Sequence, residues 1–197
     1  MTSILKVDTI QDADGNNIIN ESGNTITIGA SGDTTNIIGT LQNNGAGVGG
    51  TNTPAFEAYL SANQTISHDT VTKIQFNTEV YDTDNCYDNS TNYRFTPTTA
   101  GKYFVYGNII GFANTSNLNS NRAIIKKNGT IVKYAFSDFR NNPAKTNSVM
   151  ATTVVDMNGS SDYIELFALV EYSSSATVQV LGESYNYSAF GAYKILT

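Results

Sequence analysis

The chain has 197 residues, a net charge of −6, a single cysteine and 14% charged residues. The charged fraction lies well below the roughly 25% of an average globular protein, and the eleven Lys and Arg residues are scattered rather than gathered in a stripe. These totals exclude an intrachain disulfide and a zinc cluster built on cysteines, and they argue against nucleic-acid binding, which needs a basic surface.

Residues 1–41 carry short pairs or alternations of apolar residues, separated at regular intervals by turn-forming Asp-Gly and Gly-Asn pairs. This pattern predicts strands that are too short to bury a core within one chain. We expect a β-stalk in which several copies share one apolar axis, and a disordered arm is the alternative that the composition leaves open. The Gly- and Asn-rich residues 42–53 follow, and we interpret them as a linker to a head domain over residues 54–197.

From residue 54 onward, apolar and aromatic residues recur in strand-length runs, and no run has the period of an amphipathic helix. Twelve Tyr and nine Phe favour strands over helices. Residues 102–110 are apolar on both faces, which predicts a central strand, and Asn128-Gly129 between two alternating runs predicts a tight hairpin. Roughly eight to ten strands at this spacing indicate an all-β domain, a β-sandwich of the jelly-roll type.

The head domain also resembles the complement C1q/TNF-like jelly-roll family, whose signature spaces aromatic residues, an Asp or Asn and a Gly-x-Tyr. Residues 71–110 carry that series. The matching positions are Phe76, Asp82, Tyr87, Phe95, Gly101 and Tyr103. The resemblance implies a homotrimer, and we expect large aromatic side chains in the core or in the trimer contacts. Those residues are Phe56, Phe76, Phe95, Tyr103, Phe190 and Tyr193.

Residues 3–11, SILKVDTIQ, resemble the start of tail-fibre and other virion proteins of marine bacterial viruses. That resemblance implies docking to other virion proteins through the N-terminal segment. The start of the chain has no basic stretch followed by an apolar core, so we expect no signal peptide. No apolar run reaches the roughly 18 residues of a membrane span. We therefore expect a virion protein that is assembled in the host cytoplasm and is not inserted in a membrane.

Signals for catalysis are weak. His68 is the only histidine, and no Gly-x-Ser-x-Gly nucleophile motif occurs. A pair of glutamates could cleave a glycan if they faced one another across a cleft. The candidates are Glu79, Glu165, Glu171 and Glu183. Because alternating strand positions make exposed glutamates the ordinary interpretation, we expect no enzymatic activity and no cofactor, with calcium as the one open question.

One loop concentrates hard oxygen ligands of the kind that calcium prefers. Its carboxylates are Asp82, Asp84 and Asp88, which are interleaved with asparagines. Asp and Asn are equally typical of turns. The sequence therefore leaves a calcium site and a plain turn as alternatives.

Two loops between strong strands are rich in amides and hydroxyls, which suit hydrogen bonds to sugar hydroxyls. The second loop adds an aromatic ring, which suits the face of a pyranose. The candidate residues are Asn114, Asn117 and Asn119 in the first loop and Phe139, Arg140 and Asn141 in the second. An ordinary solvated loop is the alternative for both.

These observations combine into one hypothesis: a trimeric, non-enzymatic fibre or spike protein of a bacteriophage, whose head attaches to a glycan or protein on the host surface. The alternative is a structural decoration or connector of the virion that binds no receptor. A soluble complement-like ligand is disfavoured, because the sequence has neither an export signal nor a collagen-like Gly-x-y repeat.

Overall fold

The computed structural model describes residues 9–11, 13–15, 17–22, 25–29, 31–39, 41–43, 46–47, 52–114, 118–173, 177–183 and 187–195. The chain divides into two compact units, Met1–Gly50 and Thr51–Thr197. Every regular element among the described residues is a β-strand, and that part of the chain holds no helix long and apolar enough to cross a membrane.

The first unit contains an antiparallel meander of three strands in the order β1-β2-β3. The strands are β1 (Thr9–Gln11), β2 (Asn17–Ser22) and β3 (Thr25–Ile28). A sheet of this size buries too little apolar surface to be stable alone, and its isoleucines stay on the surface, with Ile26 69% exposed. A second pair, β4 (Gln42–Asn43) and β5 (Ala46–Gly47), lies in the segment predicted to be a linker.

The second unit is a sandwich of two antiparallel sheets. Sheet I has the order β7-β17-β12-β18-β6-β9, with β15 paired to β12. Its strands are β6 (Ala55–Tyr59), β7 (Gln64–Thr65), β9 (Thr78–Asp82), β12 (Gly101–Ala113), β15 (Thr146–Met157), β17 (Val178–Val180) and β18 (Ala189–Lys194). Sheet II has the order β10-β11-β16-β13-β14, with β8 paired to β16. Its strands are β8 (Thr72–Lys73), β10 (Tyr87–Asp88), β11 (Arg94–Phe95), β13 (Leu118–Lys127), β14 (Thr130–Asp138) and β16 (Ile164–Tyr172).

β12 is the central strand of sheet I, as residues 102–110 predict. It pairs with β15 over its whole length and with β17 and β18 on its other side. Successive side chains of a strand point to opposite faces, so fully buried Tyr103 and Val105 face the core while Phe104 and Tyr106 face away from it. We call the face of each sheet that points away from the other sheet its outer face.

Aromatic rings fill the space between the two sheets. Phe56 stacks on Tyr87 and Phe95, with ring centroids 4.5 and 4.6 Å apart, and meets Phe190 edge-on at 5.0 Å. Five of the six aromatic residues expected in the core or the trimer contacts are fully buried. They are Phe56, Phe76, Phe95, Tyr103 and Phe190. The sixth, Tyr193, is 36% exposed on the outer face of sheet I.

The Asn128-Gly129 hairpin joins β13 to β14, and the prediction of a tight turn is confirmed. Asn128 and Gly129 have φ angles of 50° and 81°, the left-handed values of a type I′ turn, which Asn and Gly adopt most readily. The Asn128 side chain anchors the turn, because Oδ1 accepts a hydrogen bond from the Tyr163 amide at 2.9 Å and Nδ2 donates to Asp162 at 2.7 Å.

Cys86, the single cysteine, lies just before β10 and is buried with a free thiol. Its sulfur donates to the Asp84 carbonyl at 3.5 Å and lies 3.8 Å from the Thr98 hydroxyl. The side chain belongs to the core of the sandwich. A buried thiol in such surroundings packs as a small hydrophobic group.

Candidate functional site

The acidic loop before β11 is organised as a set of turns. The Asp88 carboxylate accepts hydrogen bonds from the backbone amides of Ser90 at 3.1 Å, Thr91 at 2.8 Å and Asn92 at 3.0 Å. These donors, led by Thr91, hold the pKa of Asp88 well below its ordinary value. Asp88 therefore stays ionised and ties the loop to itself.

The other two carboxylates of this loop are used in the same way. Asp82 accepts hydrogen bonds from the amides of Tyr87 at 2.8 Å and Asp84 at 3.4 Å, and Asp84 accepts one from the Thr83 hydroxyl at 3.0 Å. Among the described residues, no group of three or more His, Cys, Asp or Glu side chains could hold a metal ion. Among these residues, the structure does not bring Asp82, Asp84 and Asp88 together as a calcium site; their oxygens accept hydrogen bonds within turns.

The two predicted ligand loops meet at one end of sheet II. The Phe139 amide donates to the Asn119 carbonyl at 2.9 Å, which joins the start of β13 to the end of β14. Asn114 is anchored instead to residue 177, since its Oδ1 accepts from the Thr177 amide at 3.2 Å. Asn117 lies outside the described residues.

The second loop presents its polar side chains but not its aromatic ring. Phe139 is half-buried and packs against the core, so its ring is not the open platform for a sugar that the sequence suggests. Asn141 is exposed. Arg140 is held in place, because its guanidinium donates to Asp138 at 2.9 Å and also to the Glu171 carboxylate.

Glu171 is the centre of the charge network at this end of sheet II. Its carboxylate accepts from Arg122 at 2.9 Å and from the Ser120 hydroxyl at 3.1 Å, in addition to Arg140. Burial raises the pKa of Glu171, but the hydrogen bonds from Arg140, Arg122 and Ser120 together lower it to about 2. The network fixes the loop after β14 to strands β13 and β16.

Two exposed aromatic residues next to this network were not predicted as site residues. Tyr134 and Phe136 lie on the outer face of sheet II, 46% and 47% exposed, with ring centroids 6.4 Å apart. The Arg122 guanidinium lies 4.6 Å from the centre of the Phe136 ring. The sequence carries one signal for this exposure. Residues 130–138 have apolar side chains at both odd and even positions, and a strand at the edge of a sheet must expose one of these two sets.

The outer face of sheet I carries a second exposed apolar surface. Val154, Phe104 and Tyr193 are register partners on the adjacent strands β15, β12 and β18, and the rings of Phe104 and Tyr193 lie 5.4 Å apart. Val154 and the nearby Met150 are both more than half exposed. A contiguous apolar patch of this kind on a folded domain marks an interaction surface.

A polar row crosses the same face beside these residues. Tyr106, Gly191, Glu57 and Tyr81 are register partners on four consecutive strands. The Tyr106 hydroxyl donates to Glu57 Oε2 at 2.5 Å, and burial together with this carboxylate holds the pKa of Tyr106 well above its ordinary value. A Cβ on Gly191 would lie 2.3 Å from the Tyr106 oxygen, so glycine is what allows the ring to cross β18.

The architecture defines the second unit as a two-sheet jelly roll, and solved structures share it. The chain is similar to murine APRIL at pH 5.0 (TM-score 0.51, 12% identity, 72% of this chain and 98% of that chain). It is also similar to the globular domain of the zebrafish complement 1qA protein (TM-score 0.50, 12% identity, 73% and 97%). The sequence matches no family model and no curated protein. At this identity the likeness establishes the fold, which is C1q/TNF-like.

Proposed function

We propose that the chain is a homotrimeric structural fibre or spike protein of a bacteriophage virion. The first unit docks to other virion proteins, and the jelly-roll head is displayed for attachment to a glycan on the host surface. One observation supports the trimer above others: both units expose apolar surface that a second copy would cover. The C1q/TNF-like fold supports it as well, because the family resemblance implies a threefold assembly.

In the head, the surface that needs a partner is the outer face of sheet I. Phe104, Tyr193 and Val154 form a flat apolar row that loses water favourably when another copy packs on it. Burial of such side chains contributes roughly 25 cal/mol for each Å² of apolar surface removed from water.

In the first unit, the isoleucines of the meander form the apolar surface that other copies would cover. They are Ile10, Ile18, Ile19, Ile26 and Ile28, each more than a third exposed. Three copies wound about one axis would bury these side chains against one another, which a single three-stranded sheet cannot do. Both units therefore expose apolar side chains that further copies of the chain would cover.

For attachment, the supporting feature is the surface around Tyr134 and Phe136. Two exposed rings offer flat apolar faces to the C–H groups of a sugar, and Arg140, Asp138 and Glu171 beside them offer hydrogen-bonding groups for its hydroxyls. The charge network holds these groups in one geometry, so little conformational entropy is lost on binding.

The trimer is tested by light scattering on the full chain. We expect a mass three times that of the 21.2 kDa chain, and we expect Tyr193→Arg to give monomers because a charge would be buried in the interface. Val71→Arg, at an exposed position outside the outer face of sheet I, is the matched control and should remain trimeric. A monomeric wild-type chain would refute the assembly.

Attachment is tested by binding of the full chain to a panel of bacterial surface glycans. The double variant Tyr134→Ala/Phe136→Ala should weaken binding by about tenfold or more, as expected for aromatic contacts at the centre of an interface. Val71→Ala serves as the control and should bind like the wild type. If the wild type, the double variant and Val71→Ala bind equally, the aromatic pair does not belong to the attachment surface.

A purely structural decoration or connector is the second candidate, and one observation favours it. Two of the predicted ligand residues already have partners within the chain: Asn114 with Thr177, and Arg140 with Asp138 and Glu171. For such a protein, particles that lack the chain would lose stability while the isolated trimer would bind neither host cells nor their glycans.

A further inference from the structure

Glu57 is a carboxylate placed within the apolar outer face of sheet I. It lies on β6, and Tyr106 reaches it across Gly191 to donate to Oε2 at 2.5 Å. Its other register partner in the polar row is Tyr81 on β9. No ion pair of Glu57 occurs in the part of the chain that the structure describes.

The strands packed around Glu57 offer it no free cation. Lys102 shares the outer face but lies four residues from Tyr106 along β12 and is paired with Asp156 at 2.8 Å. Lys194 on β18 lies beside Gly101, at the end of β12 away from Tyr106. The remaining titratable groups of these strands are acids and phenols. They are Tyr59 on β6, Glu79 and Asp82 on β9, Tyr103 on the core face of β12, and Tyr193 on β18.

A second copy that packs on this face removes water from the Glu57 carboxylate. An ionised carboxylate without a cation loses hydration that the hydrogen bond from Tyr106 replaces only in part, whereas the neutral acid loses much less. The geometry accommodates both forms. A proton on Oε1 leaves Oε2 free to keep accepting from Tyr106.

We propose that assembly of the trimer through sheet I takes up a proton at Glu57, so that the head trimer is tighter at acidic pH than at neutral pH. This inference rests on the proposed trimer and adds that its association depends on pH. Each copy supplies one Glu57, so assembly binds up to three protons. The sign follows: because the assembled state holds more protons, the association constant falls as pH rises.

The test is sedimentation of the full chain from about pH 5 to about pH 8 at constant ionic strength, with circular dichroism at each pH to confirm the fold. For the wild type, we expect the concentration at which trimers dissociate to rise by about tenfold or more over this range. Glu57→Gln should be insensitive to pH and should stay as tight at about pH 8 as the wild type is at about pH 5. Asp69→Asn, an exposed carboxylate outside this face, should keep the wild-type dependence.

Tyr106→Phe gives an independent readout if Glu57→Gln fails to fold. Removing the phenol donor leaves the ionised carboxylate with fewer hydrogen bonds, so the variant should lose trimer stability more at high pH than at low pH and show a steeper dependence. A wild-type trimer that does not respond to pH, or a Glu57→Gln trimer with the wild-type slope, would overturn the proton uptake alone. A wild-type chain that is monomeric at every pH would overturn the trimer as well.

Discussion

Glu171 accepts hydrogen bonds from three donors that lie on two segments of the chain. Ser120 and Arg122 come from β13, and Arg140 comes from the loop after β14. Because the folded chain holds the pKa of Glu171 at about 2, below the ordinary value of 4.5, its ionised form stabilises the fold. That contribution is complete above about pH 4.5 and is lost as pH falls towards 2.

We therefore predict that Glu171→Gln lowers the melting temperature at neutral pH, and that the difference from the wild type narrows as the pH is lowered from about 4.5 towards 2. Thermal unfolding followed by circular dichroism measures both effects. Glu183→Gln is the matched control, because Glu183 is an exposed glutamate outside this network and substitutions at such surface positions change stability little. A difference that stayed constant across this pH range would contradict the assignment.

At the residue scale, the sequence predicts packing better than it predicts chemistry. Phe56 and Phe190 stand in strand-like runs, and their burial follows from alternation. Asp88 could not be assigned, because Asp serves turns and calcium equally well until its donors are seen. The contact between Glu57 and Tyr106 joins residues 49 positions apart, and no local pattern encodes such a pair.

At Gly129, in the hairpin between β13 and β14, the choice of residue affects stability through backbone conformation alone. Gly129 has φ +81°, and a Cβ there would meet no heavy atom within 4 Å. We predict that Gly129→Ala costs about 1 kcal/mol, because an L-residue is strained in the left-handed region even where there is room for its side chain.

Urea unfolding of the full chain measures this cost. Gly129→Asn is the matched control, since Asn tolerates the left-handed region better than Ala and should lose less stability. If both variants lost the same stability, strain of the left-handed backbone would not be the cause.

At the scale of elements, local periodicity accounts for β12 and for the hairpin, because both signals lie within a few residues of one another. The order of strands within each sheet cannot be predicted from local periodicity. β12 pairs with β15 on one side and with β17 and β18 on the other, and these partners are set by the whole sandwich rather than by neighbouring residues. The position of β14 at the edge of sheet II follows from this order, so the sequence shows that β14 has two apolar sets of side chains but not that the set with Tyr134 and Phe136 is the exposed one.

For the whole molecule, the predicted linker over residues 42–53 can be tested directly. We predict that brief digestion of the full chain with a protease of broad specificity cuts within these residues first, because Gly-rich backbone adapts readily to a protease active site. Mass spectrometry should identify a fragment that begins near residue 54. Circular dichroism of this fragment should show the strand-rich spectrum of the head. First cuts inside residues 54–113 would contradict the division.

The fold of the head could be inferred from the spacing of aromatic residues, since packing leaves a trace in sequence. Function leaves a weaker trace, because one fold carries many functions and the partner-facing surfaces form only after distant strands have paired. Phe104, Val154 and Tyr193 show this, since they come from three strands and form a surface only as register neighbours.

The buried thiol of Cys86 can be used to measure how often the sandwich opens around β10. As the one cysteine in the chain, it can react with a thiol reagent only when the structure around β10 opens, so the labelling rate in excess reagent reports how often that opening occurs.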